Sequence, residues 1–116
     1  MSLLISIVVA LALLTPARAR ADDTVVIEAM RLVPPVLHTM TGQRVTFVNR
    51  SQRHVHVEFA RAGGEYQLVQ VPVGGPIWAI FPRPGRHAYE VHVFGREPVT
   101  LAGSVEIVEA PPRKYE

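Results

Sequence analysis

The chain has 116 residues, with 12 Lys plus Arg against 10 Asp plus Glu, five His and no Cys. Hydrophobic residues make up 48% and charged ones 19%, a balance that suits one small globular domain and excludes a disordered chain. The missing Cys excludes a disulfide scaffold, a thiolate nucleophile, an iron–sulfur or Cys-based zinc site and an acylated N-terminal Cys.

Residues 3–14 form an apolar run interrupted only by Ser6 and closed by Thr15-Pro16. Ala17-Arg18-Ala19 and Ala19-Arg20-Ala21 both offer the small-x-small pattern that signal peptidase accepts. The run is shorter than the roughly 20 residues a bilayer span needs. Residues 1–21 therefore read as a cleaved signal peptide, and the rest as a periplasmic or secreted domain with no stable membrane insertion. An uncleaved tether is the competing reading, because no Lys or Arg precedes the run. Cleavage after Ala21 removes Arg18 and Arg20 and no acidic residue, so the formal charge falls from +2 to zero. Nucleic-acid binding loses its electrostatic support.

From residue 22 onward apolar and polar residues alternate, and no stretch keeps helical spacing for three turns. Val25 to Ala29 begins a first strand. Leu32 to Leu37 is a second apolar stretch, held extended and at an edge by Pro34-Pro35. Gly42-Gln43 turns the chain into Arg44–Asn49, where Val45, Phe47 and Asn49 share a face. After a polar turn, His54 to Phe59 alternates strictly, with Val55, Val57 and Phe59 inward and His54, His56 and Glu58 on the other face. Gly63-Gly64 turns into Tyr66–Val71, and Gly74-Gly75-Pro76 precedes Ile77–Phe81, whose Trp78 reads as core. Pro82-Arg83-Pro84-Gly85 turns into His87–Phe94, and Val99–Val108 is the last strand. About seven short strands without a helix predict an all-β, two-sheet Greek-key β-sandwich over residues 22–110, with a tail at 111–116.

This pattern resembles the cupredoxins of the plastocyanin and azurin type. The likeness is carried by Leu32-x-Pro34, by Gly42-x-x-Val45-x-Phe47-x-Asn49, by His54-Val-His56-Val-Glu-Phe59, and by Pro84-Gly85-x-x-x-Tyr89 followed by Leu101-x-Gly103-x-Val105-x-Ile107. The resemblance implies an exported copper protein with two His, a Cys thiolate and an axial Met. Here the Cys position falls on Val91, the axial Met on Leu101 and the second His on Phe94. The chain is thus a divergent member of this type, and a blue thiolate centre is excluded. The first His position shares strand parity with Val55, and a bulge before it would be needed to turn His54 inward.

Four His remain as candidate metal ligands: His54, His56, His87 and His92. His54 and His56, two apart on a strand, point to one face, and His92 follows the vacated Cys position. Imidazole suits Cu(II) and Zn(II) without a thiolate, so an all-nitrogen copper site from His54 or His56 with His92, helped by Glu90 or His87, is the leading reading. The same His residues equally suit a solvated strand face. Met30, His38 and Met40 offer soft donors at unremarkable spacing.

No phosphate loop, His-Glu-x-x-His or Gly-x-Ser-x-Gly motif is present, and the only Asp residues are Asp22 and Asp23, so the chain does not read as an enzyme. Two functions stand. One is copper binding through histidines, for handling or a modified electron-transfer role with a periplasmic redox protein or copper enzyme. The other is a metal-free module that docks on a periplasmic redox enzyme, with Arg50, Arg53, Arg83, Arg86 and Arg96 near the turns to select an acidic partner.

Overall fold

A computed structural model describes residues 23–60 and 66–112. The signal peptide expected over 1–21, the Gly63-Gly64 turn and the end of the tail at 113–116 lie outside the described residues.

Among the described residues nine strands follow one another: β1 Thr24–Ile27, β2 Leu32–Val33, β3 Val36–Met40, β4 Arg44–Asn49, β5 Val55–Ala60, β6 Tyr66–Val71, β7 Pro76–Ile80, β8 Gly85–Val93 and β9 Val99–Val108. They form a five-stranded sheet in the order β3-β9-β8-β5-β6 and a four-stranded sheet in the order β2-β1-β4-β7. Two pairings are parallel, β9 with β3 and β1 with β4, and the rest are antiparallel. No helix among the described residues is long and apolar enough to cross a membrane.

The apolar stretch expected as a single edge element is cut in two. Pro34 and Pro35 have no N–H to give to a ladder, and the Val33–Pro34 peptide is cis. β2 accordingly pairs with β1 in one sheet, while β3 pairs with β9 in the other. This short segment stitches the two layers together.

Alternation sorts the side chains into a single core between the sheets. Val25, Ile27, Val45 and Phe47 from one layer meet Val55, Val57, Tyr89, Val91, Val93, Val105 and Ile107 from the other, all buried. Phe47 packs edge-on against Phe59 and Tyr89, with ring centroids 5.5 and 5.3 Å away. The Tyr89 hydroxyl is buried without a hydrogen-bond partner, and that burial pushes its pKa up.

Trp78 is not core. The β4–β7 register sets Trp78 opposite Thr46 and Ile77 opposite Phe47. Ile77 therefore turns inward, and Trp78 lies 54% exposed on the outer face. The Arg44 guanidinium covers its ring at 4.2 Å.

Candidate metal centre

The turn that leads into β5 is fixed by Asn49, buried at the end of β4. Its Nδ2 donates to the carbonyls of Arg53 (2.9 Å) and Val71 (3.1 Å). Its Oδ1 accepts from the Ser51 backbone N–H (2.9 Å) and hydroxyl (2.7 Å). One amide thus ties β4, β6 and the 50–53 turn together and sets where His54 emerges. The loop after β8 joins the same end, because the Phe94 N–H donates to the His54 carbonyl at 2.9 Å.

No bulge turns His54 inward. Val55 pairs in plain register with Val71 on one side and Val93 on the other, and is fully buried. Val91 is fully buried as well, and Leu101 packs against the core. The three positions that the resemblance assigns to the Cys, the second His and the axial Met hold Val91, Phe94 and Leu101, and the inward position beside His54 holds Val55; none of the four has a donor atom suited to copper. A thiolate-type copper centre does not fit this interior.

The donors lie outside it. His54 and His56 share the outer face of the five-stranded sheet, with their Nε2 atoms 3.0 Å apart. The rings meet edge-on at 4.7 Å, and Phe94 packs edge-on against both, at 5.3 Å from His54 and 4.9 Å from His56. Gln70 Nε2 donates to His54 Nδ1 at 3.5 Å. With bonds of about 2.0–2.1 Å, neighbouring donors stand about 3.3 Å apart on a tetrahedral ion and about 2.8–2.9 Å apart on a tetragonal one such as Cu(II). The imidazole pair is therefore preset close to the spacing of two ligands on one metal.

His92 faces the same side but serves a different group. In the β5–β8 register His92 lies opposite His56, and Glu90 opposite Glu58. His92 Nε2 stands 3.0 Å from Glu58 Oε1 and 3.8 Å from Glu90 Oε1. One donor atom from each of Glu58, Glu90 and His92 lies within 4.8 Å of the other two.

His87 is not brought to this face. It sits five residues before His92 on β8, which puts it on the opposite face and about 17 Å away along the strand. Its ring packs against Phe81 at 5.1 Å, and its Nε2 donates to the Arg83 carbonyl at 2.8 Å. His38, on β3, stands 3.9 Å from Glu106. The pairing of Glu58 with Glu90 was not foreseen. Glu58 carried a signal, since it shares the parity of His54 and His56, but the register that opposes it to Glu90 is tertiary.

No protein-family profile matches the sequence, and no curated protein does. Among solved structures the chain is similar to an oxidised amicyanin variant, at 22% identity over 80% of this chain and 88% of that one, with a TM-score of 0.63. It is also similar to a reduced amicyanin variant, at 26% identity over 79% and 87%, with a TM-score of 0.59. A purple cupredoxin from Nitrosopumilus maritimus matches at 17% identity over 73% and 98%, with a TM-score of 0.54. The fold is cupredoxin-like, a two-sheet all-β sandwich without the Cys ligand of a thiolate centre.

Proposed function

We propose that this protein is an exported, periplasmic or secreted copper-binding protein whose metal is held by His54 and His56 on the outside of a cupredoxin-like sandwich. The observation that carries this reading is the 3.0 Å separation of the two Nε2 atoms beneath Phe94. Two neutral imidazoles suit Cu(II), and the ring packing holds them in place before the metal arrives. When bound, copper supplies a one-electron redox couple and exchangeable coordination positions. The chain itself contributes two fixed nitrogens and leaves the remaining positions to water or to a donor from a partner. Such a site suits copper handling or a modified redox role more than fast electron transfer, and it requires no catalytic machinery of its own. The similarity to oxidised and reduced amicyanin variants supports a redox context, in which the partner is a periplasmic redox protein or a copper enzyme.

A second reading, a metal-free module that docks on a redox enzyme, draws on the outer face of the four-stranded sheet. Trp78 and Ile80 are both about half exposed there, beside Arg44.

Titration with Cu(II), followed by calorimetry and EPR, tests the copper reading against the His54→Ala/His56→Ala double variant. Stoichiometric binding with nitrogen hyperfine structure that disappears in the double variant is the expected result. Equal binding by both proteins overturns the assignment to His54 and His56, and absence of binding by the wild-type chain leaves the docking module.

A further inference from the structure

We propose that Glu58, Glu90 and His92 form a second metal site, independent of the His54–His56 pair, that takes a divalent first-row cation and by its donor set Zn(II). The site shares no residue with the copper pair and does not rest on that reading.

The first argument is geometric. Glu58 and Glu90 stand directly opposite each other on β5 and β8, and His92 lies one outward-facing position along from Glu90. The contacts of 3.0 and 3.8 Å from His92 Nε2 to the two carboxylates bracket the spacing of about 3.3 Å between donors on a four-coordinate zinc. Small rotations of the partly buried Glu58 and exposed Glu90 carboxylates complete the fit.

The second argument is electrostatic. Like charges directly opposite each other on neighbouring strands are destabilising. The next strands supply no counter-charge, since Leu68 flanks Glu58 and Ala102 flanks Glu90. Among the described residues neither carboxylate has a Lys or Arg within ion-pair distance. Arg86, on the same strand as Glu90, reaches Glu106 instead, at 3.9 Å. Two adjacent carboxylates met only by an imidazole form an arrangement that a dication relieves.

The donor chemistry narrows the ion. Calcium and magnesium prefer oxygen ligands throughout, and Cu(I) prefers soft sulfur, whereas imidazole with carboxylates suits a divalent first-row ion; Zn(II) takes this set at four-coordinate sites, and Cu(II) accepts the same donors. Three protein donors leave at least one position open. Both carboxylates border a groove of about 560 Å³ over Ala88 and Ala102, which gives water access to that position.

The test uses Zn(II) alone as the probe and the full chain carrying His54→Ala/His56→Ala, so that the copper pair is absent. Calorimetry is expected to show one zinc per chain, and added zinc to raise the unfolding midpoint. Adding Glu58→Gln/Glu90→Gln, which preserves size on an accessible face, is expected to weaken binding at least a hundredfold and to remove the midpoint shift. His92→Ala provides a second variant with the same expected loss. Zinc bound equally after the Glu substitutions overturns the proposal. So does zinc binding that is present in the wild-type chain and disappears when His54 and His56 alone are replaced. Retention of Cu(II) by the Glu58→Gln/Glu90→Gln chain keeps the two sites distinguishable.

Discussion

Tyr89 lies across Gly103, its β8–β9 partner, so closely that a Cβ at position 103 would sit 2.5 Å from the Tyr89 ring carbon Cζ and 2.8 Å from Leu32 Cδ1. The missing side chain is what lets the ring enter the core against both Phe47 and Phe59. Gly103→Ala is expected to cost about 1–3 kcal/mol by overpacking. Chemical denaturation checks the size. The double variant with Tyr89→Leu should cost less than the sum of the two single changes, because both act on one contact.

Alkaline pH should destabilise the fold through the same tyrosine. Burial raises the Tyr89 pKa in the folded state, so above pH of about 10 the unfolded chain loses this proton while the folded chain keeps it. The folded state then binds more protons, and stability falls as pH rises; below that range the group has no effect. Tyr89→Phe should flatten this alkaline loss, and it should change stability at neutral pH by no more than about 1 kcal/mol, since the hydroxyl has no partner to lose. Unfolding midpoints measured for both proteins across the alkaline range decide it.

Asn49→Ala removes an amide that joins two strands and a turn through four hydrogen bonds. The partners left behind are buried or partly buried, which sets the expected loss at about 3 kcal/mol. For a domain of this size the midpoint should fall by roughly 10–20 °C. Thermal unfolding by circular dichroism measures it, and a shift within error would show that water replaces the amide at no cost.

Phe94→Ala separates order from donation. Phe94 offers copper no ligand, yet its ring contacts both imidazoles. Freeing them should weaken Cu(II) binding roughly tenfold, with a small effect on stability, because holding a rotamer costs about 0.5–1.5 kcal/mol. Calorimetric affinity beside the wild-type chain is the check, and Phe94→Leu should recover part of the loss.

Much of the sandwich is legible in the sequence, because its strands alternate cleanly. Val99–Val108 is read to its end residues, and the inward set Val55, Val57 and Phe59 follows from parity alone. Parity fails where both faces are apolar: Ile77-Trp78-Ala79-Ile80 fits either orientation, and only pairing with β4 turns Trp78 out. The separation of His87 from His92 needs β8 to be one unbroken strand, on which an offset of five means opposite faces. The Glu58–Glu90 opposition joins residues 32 apart, and it depends on how two strands slide together in packing the core, which no local pattern encodes.

The interior end filled by Val55 and Val91 has a consequence for how the molecule matures. In a protein whose metal ligands lie within the core, the interior stays incomplete until the ion is loaded, and a chelator opens it again. Here the apolar layer closes by itself, with no position left for an ion to complete. The interior needs no ion to be finished, so an ion held on the outer face would add only the stabilisation that any ligand preferring the folded chain provides.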